Sequence, residues 1–181
     1  FDPGYLEKAW VGNCVAIGLS GSFVEPLEAT SIGTTINQSL ALITPLASFR
    51  KGHTWVAKEY NHTFEKMMLN ILSMIRLHYI SDRDDSPFWI AQQEMPMPEE
   101  LEHLLGVWAE RAPVESDVHG IWNLFGFPHF YYVGQGQGVI SRKAAQDLND
   151  VTDNYLWNLR ESRNSQPVKD HAETLKELTQ N

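Results

Sequence analysis

The longest periodic stretch constrains the chain most. From Trp55 to Ile80 the side chains Val56, Tyr60, Phe64, Met67, Met68, Ile71, Ile75 and His78 recur at steps of three and four. That spacing predicts one face of a helix of about seven turns. A helix this long, with one apolar face, needs other elements packed along it, so the segment is expected to be mainly α. The flanks carry matching punctuation. The run SDRDDSP stops the helix, and Asp85 or Ser86 before Pro87 reads as an N-cap with proline at the first helical position, opening a short helix from Phe88 to about Glu94. Met95-Pro96-Met97-Pro98 breaks the chain again. Pro98-Glu99-Glu100 then opens a helix through Leu101, Leu104, Leu105 and Trp108, whose acidic first turn complements the helix dipole. A last helix is expected from about Lys143 to Arg160, with a short one from His171 to Leu178.

Upstream of the long helix, WVGNCVAIGLS (Trp10 to Ser20) reads as a buried strand ending in a Gly-Leu-Ser turn, because small and β-branched residues bounded by glycine suit a covered strand. Pro26 with Gly21 and Gly33 keeps the first half of the next stretch irregular. Thr30 or Ser31 is a fitting N-cap for a helix through Ile36, Leu40 and Ile43, which Pro45 should end or kink. The segment from Ala112 to Gly138 is aromatic, glycine-rich and expected to be irregular. One strand cannot make a sheet. With an opening Phe1-Asp2-Pro3 that carries neither an initiator Met nor a leader pattern, the expectation is a piece of something longer.

Composition narrows the chemistry. Fourteen Lys+Arg against 23 Asp+Glu, a net charge of −9, leave no basic footprint for nucleic acid or anionic lipid. No apolar run is long enough for a membrane span. One cysteine, Cys14, allows no internal disulfide and fits a reducing, cytoplasmic setting. The seven histidines fall in no HExxH or facial-triad spacing and there is no CxxC, so no metal site is expected. Gly-Leu-Ser20-Gly lacks the spacing of a nucleophile elbow. Gly134, Gly136 and Gly138 lack the dinucleotide spacing and read as a close-packed turn.

The segment EPLEATSI differs from these. It sets a proline and the carboxylate of Glu28, expected to be buried, just before a helix opening Thr30-Ser31-Ile32. A helix start offers unpaired N–H groups and the positive end of a dipole, which suits an anion or an electron-rich ring edge. An ordinary capped helix beside a solvated glutamate is the competing explanation.

The segment NCVAIGLSGSFVEPLEATSI, Asn13 to Ile32, closely resembles the NCVAIGLAAGFLEPLESTSI hallmark of the flavin-dependent halogenases, the tryptophan halogenase-like family. LHYISDRDDSPFW, Leu77 to Trp89, is similar to the family's HY…R.DSPFW element. Trp122-Asn-Leu-Phe-Gly with the later GQG is similar to its W…LFG…GQG. The three stand in family order.

The resemblance implies the C-terminal portion of such an enzyme. Its short strand would belong to the FAD-binding α/β, GR2-type flavoprotein monooxygenase-like fold of the whole. Residues 1–50 would complete the flavin and halide region, and 51–181 would form a helical substrate-binding region. Residue by residue, Leu19 and Ile32 match positions lining the flavin, and Thr30 and Ser31 match the pair that holds halide. Glu28 matches the carboxylate facing the substrate. Ala29 departs from the usual Ser, mildly if the backbone is what matters there. The cofactor implied is FAD as FADH2, with halide as co-substrate and hypohalous acid carried to a lysine. That lysine, the GxGxxG fingerprint and the WxWxIP motif all lie upstream in the family, and this sequence has none of them. The implied partners are a separate flavin reductase, the N-terminal FAD-binding portion and an aromatic small molecule, with room for a homo-oligomer. APVESDVHGIWNLFG lacks the Tyr-Tyr pair of the free-tryptophan enzymes, and only Ile121-Trp122 matches their Phe-Trp place. An indole-like or phenolic ring stacked on Trp122 fits better than free tryptophan. Trp55, Trp89 and Trp108 are expected in the core. A non-halogenating flavin monooxygenase of the same fold and a helical interaction module are the alternatives.

Overall fold

The structure, a computed structural model, describes residues 3–140. The helices expected at 143–160 and 171–178 lie outside the described residues.

Five helices, α1 (Thr30–Phe49), α2 (Trp55–His78), α3 (Pro87–Glu94), α4 (Glu99–Glu110) and α5 (Phe127–Gly136), follow four two-residue strands, β1 (Gly4–Tyr5), β2 (Trp10–Val11), β3 (Cys14–Val15) and β4 (Ser22–Phe23). Helix α2 is the spine, touching α1, α4, α5 and β2. Its buried row is Tyr60, Phe64, Met67, Met68, Ile71, Ser73, Met74 and Leu77. Toward the C-terminus it departs from the expected row, adding Met74 and Leu77 and leaving Ile75 and His78 half-buried. Ile71, Leu77 and Trp108 are completely shielded from solvent. Each such side chain contributes roughly 1.5–3 kcal/mol by leaving water.

The expected buried strand from Trp10 to Ser20 is instead a tight hairpin followed by a 3-10 turn at Gly18–Ser20. β2 pairs antiparallel with β3, Trp10 opposite Val15 and Val11 opposite Cys14. Gly12 at φ +60 makes the two-residue turn, a conformation that glycine takes without a Cβ clash. The missing strand partner was therefore only a few residues away. Val11 and Cys14 are exposed, and the burial sits in Trp10, whose ring packs on Phe49 and Tyr60 at centroid distances of 5.1 and 5.6 Å. β1 pairs antiparallel with β4, Gly4 opposite Phe23.

Two further corrections concern helix ends. α1 runs through Pro45 to Phe49, so the proline does not terminate it. The Ala112–Gly138 segment contains α5, with Pro128 in its first turn and Gly138 at φ +70 just past its end. That is the proline-then-glycine asymmetry of a helix, masked in the sequence by the aromatics and glycines between. The GQGQG run is thus a helix terminus. Its Gly134 does pack closely, since a Cβ there would stand 3.4 Å from the Trp108 ring. Of the tryptophans expected in the core, Trp108 is there and Trp89 is half-buried. Trp55 is 75% exposed, with the Lys58 ammonium 4.0 Å over its ring.

The α3 and α4 boundaries follow the expected punctuation, and the Ser86 hydroxyl accepts the Trp89 N–H as an N-cap should. Beyond α4 the Asp117 carboxylate collects the Trp108 indole N–H at 3.0 Å, the Val114 N–H at 2.9 Å and two Arg111 N–H groups. With Arg111 as the main cause, these donors hold Asp117 down at about 2. Because its folded value lies below the ordinary carboxylate value near 3.9, its contribution is complete above about pH 4 and fades as pH falls toward 2. Arg111 stands in solvent, which screens the pair and keeps its contribution modest. Asp117→Asn should lower the unfolding midpoint at pH 7 and flatten the loss of stability between pH 4 and 2. Identical acid titrations of stability for the two proteins would remove Asp117 from this role.

Candidate functional site

The site begins where the backbone is most constrained. After β4 the chain turns through Glu25-Pro26 into a 3-10 turn, Leu27–Ala29, and then into α1. Glu28 (φ 58, ψ 27) and Ala29 (φ 53, ψ 30) both lie in the left-handed region. Two successive non-glycine residues there cost on the order of 1–3 kcal/mol each and persist only when their surroundings impose them. The Thr30 backbone N–H and hydroxyl both donate to the Leu27 carbonyl, and the Thr34 hydroxyl donates to the Thr30 carbonyl at 2.7 Å. Thr30 and Thr34 are buried at 2% exposure each. The helix N-cap is Ala29 rather than Thr30 or Ser31, and no side chain caps it. Thr30 has therefore turned its own donors inward, and the free first-turn donors of such a helix start are the N–H groups of Ser31 and Ile32.

Glu28 is exposed, contrary to the buried carboxylate expected, and it stands on a left-handed turn. It faces the end of α2, where the His78 Nε2 lies 3.5 Å from its carboxylate. The next residue, Tyr79, donates its hydroxyl to the Glu25 carboxylate. That bond, helped by partial burial, pushes the Tyr79 hydroxyl up to about 12. Two adjacent side chains at the end of α2 thus take the two glutamates of EPLE. Gln137, just past α5, donates its amide to the His78 carbonyl at 2.8 Å. Tyr79 also sits among Phe88 and Trp89, with the Arg83 guanidinium 4.4 Å over the Trp89 ring. The three sequence segments singled out above therefore meet at one point. Glu25, His78, Tyr79 and Gln137 were not anticipated as site residues. A glutamate pair three apart, matched by neighbouring His and Tyr at a helix end, was the available signal.

Leu19 and Ile32 are 66% and 68% exposed, on the 3-10 turn and α1, which pack together. The Gly18 N–H donates to Gln38 at 2.7 Å, and a Cβ on Gly18 would stand 2.7 Å from the Thr35 hydroxyl, so this turn lies directly against the helix. The apolar pair suits one side of a flat ring system. Between Gly18 and Gln38 there is no Lys or Arg, so the anionic phosphates of a dinucleotide have no counter-charge on this stretch.

Ile121 and Trp122 sit apart from Glu28. They border an open pocket of about 440 Å³ between α2, α4 and the following loop, whose other walls include Glu59, Lys66, Ser73 and His119, and Glu28 is not among them. Ile121 is 90% exposed. The loop is nonetheless tied to α1: Asn37 donates to the Trp122 carbonyl at 3.4 Å, and Leu124 fills the space beside Gly33, 2.5 Å from where a Cβ would be. Among the described residues, no three His, Cys, Asp or Glu gather as a metal site would need.

Residues 1–153 match the family described as Tryptophan halogenase. The chain belongs to that family. It is 29% identical over 153 residues to the tryptophan 7-halogenase RebH of Lentzea aerocolonigenes, covering 77% of this chain and 29% of that one. An uncharacterized protein of Sinorhizobium fredii, y4xG, is 33% identical over 150 residues, covering 80% and 30%. Among solved structures, BrvH, a flavin-dependent halogenase from Brevundimonas sp. BAL3, superimposes with a TM-score of 0.70 at 29% identity, covering 97% of this chain and 36% of that chain. The chain therefore spans under a third of the length of these two relatives. The mainly helical segment expected from the sequence superimposes on a segment of that flavin-dependent halogenase.

The left-handed turn is testable by stability alone. Ala29→Val should destabilise the protein by about 1–2 kcal/mol, since a β-branched side chain tolerates φ +53 poorly, while Ala29→Gly should be neutral or stabilising. Equal melting of all three proteins would show that the turn is not held in this conformation.

Proposed function

We propose that the chain is part of a flavin-dependent halogenase that uses FADH2, oxygen and halide to halogenate an electron-rich aromatic, indole-like or phenolic. The observation that carries this reading is the convergence of Glu25–Glu28, His78–Tyr79 and Gln137 on a strained helix start. Reduced FAD would supply, with oxygen, the oxidising equivalents that make halide an electrophile. The N–H groups of Ser31 and Ile32 would hold the halide, with Thr30 locking the turn through Leu27. Leu19 and Ile32 would lie against the ring system. Glu28, on its left-handed turn, would face the substrate. It can accept the ring proton released as halogen replaces hydrogen.

The outer face of α1 supports a larger partner within the same enzyme. Its buried side chains are polar (Thr30, Thr34 and Gln38), while Ile32, Ile36, Leu40 and Ile43 are exposed. An apolar stripe of this kind is suited to being covered, and the flavin-binding portion would cover it. On this reading residues 1–50 serve the flavin and halide, and 51–181 serve the aromatic substrate. A separate flavin reductase would deliver FADH2, and the enzyme would act in the cytoplasm, without nucleic acid or membrane. Free tryptophan is disfavoured as substrate by the 112–126 segment, although several relatives are named for it.

The test is the full-length protein with a flavin reductase, FAD, NADH, oxygen and bromide, offered a panel of indoles and phenols. Brominated product is expected. Hydroxylated product with none brominated would favour the monooxygenase alternative. Glu28→Gln should lower product formation about a hundredfold or more while leaving FAD binding unchanged. Equal loss of both would make Glu28 structural. Ser31→Leu should raise the bromide concentration needed for half-maximal rate, and an unchanged bromide dependence would remove Ser31 from the halide site.

A further inference from the structure

We propose that His78 is a positioning residue for Glu28, and that Gln137 sets His78 by holding the end of α2. The inference rests on the role given to Glu28 above. It starts from the two ring nitrogens. His78 Nδ1 lies 2.8 Å from the Met74 carbonyl, four residues back on α2. A carbonyl can only accept, so Nδ1 carries the hydrogen and donates. That fixes the ring plane and leaves Nε2 as the nitrogen facing the Glu28 carboxylate at 3.5 Å. With Nδ1 committed, Nε2 of a neutral ring presents a lone pair, and a lone pair opposite a carboxylate repels. The contact is attractive when Nε2 also carries a hydrogen, and in that form the fixed ring gives the Glu28 carboxylate a direction.

The surroundings are arranged for this. Glu28 is 53% exposed and sits on a left-handed turn, so nothing on its own element anchors the carboxylate. The His78 side chain is only 18% exposed and is packed in place. The other ionisable neighbours are engaged elsewhere: Tyr79 donates to Glu25, and Gln137, an uncharged amide, is spent on the His78 carbonyl. His78 stands in the last turn of α2. The GQGQG run thereby gains a purpose. Val139 and Gly138 donate to the Gly134 and Gln135 carbonyls, folding the chain back so that Gln137 reaches α2.

The experiment uses the full-length enzyme in the halogenation assay, with Glu28→Gln, His78→Phe, His78→Gln, the Glu28→Gln/His78→Phe pair and Gln137→Ala. His78→Phe removes the Nε2 group and should lower kcat roughly ten- to a hundredfold, the cost of mis-aiming a reacting group, with KM for the aromatic and FAD affinity little changed. His78→Gln places an amide N–H donor where Nε2 was and should restore most of kcat. The paired variant should be no slower than Glu28→Gln alone, because His78 acts only through Glu28. Gln137→Ala should give a smaller loss in the same direction. Multiplicative losses in the pair, or no rescue by His78→Gln in a protein that melts normally, would overturn the inference and leave the halogenase reading standing. Full activity of Glu28→Gln would overturn the role of Glu28 and this inference together. If His78→Phe fails to fold, His78→Ala and the Glu28→Gln/His78→Ala pair take its place under the same rule of non-additivity.

Discussion

Two asparagines on one helix hold the segment together. Asn61 pairs its amide with the Trp10 backbone, accepting the N–H at 2.7 Å and donating to the carbonyl at 2.9 Å. Asn70 does the same for Phe125, at 3.1 and 2.9 Å. In each case a side-chain amide supplies the two hydrogen bonds a neighbouring strand would, to backbone that has no strand there. Buried backbone groups left unpaired cost about 1–3 kcal/mol each, so the open edge of β2 and the loop at Phe125 can lie against α2 because the helix presents these amides. They also fix registers. Trp10 is drawn onto Phe49 and Tyr60, and Phe125 is placed so that Leu124 closes on Gly33. From one helix, the hairpin that precedes the Gly18–Ser20 turn and the loop that borders the open pocket are both set.

The strained turn at Glu28 and Ala29 is held from α1. Its cost is offset by the Thr30 and Thr34 hydroxyls, each satisfied at a helix carbonyl and shielded from solvent, and by Gln38, whose carbonyl oxygen takes the Gly18 N–H. These three polar side chains all point inward from α1. An ordinary amphipathic helix would place leucines there, and leucines would leave the turn without partners. The polar inner face of α1 is the physical condition for the turn, and the exposed isoleucines on its outer face follow from that inversion.

What could be read from the sequence was local. The α2 row, the Ser86-Pro87 start and the acidic opening of α4 each rest on periodicity or capping within a few residues, and the structure has them. A single strand over Trp10 to Ser20 fails at Gly12-Asn13, where glycine before asparagine between two short apolar runs is a turn signal. Helix α5 was missed because its aromatics and glycines look like loop, although Pro128 and Gly138 bracket it. The exposure of Glu28 could not be read, since it depends on a backbone conformation that sequence disfavours for glutamate. His78 counted as the last member of an apolar row, which is true of its packing and silent about its Nε2.

The long-range pairs were out of reach for a different reason. Asn61 to Trp10, Asn70 to Phe125, Glu28 to His78 and Glu25 to Tyr79 each join residues about fifty apart. No periodicity links such positions. A mid-helix asparagine is nonetheless a mild conflict, because its side chain competes for backbone hydrogen bonds and lowers helix propensity. A helix that keeps two, nine positions apart, on a spine otherwise rich in good helix formers, implies that each amide is used outside the helix. In such a chain the polar exceptions to the apolar pattern locate the joints, and both asparagines of α2 are such joints.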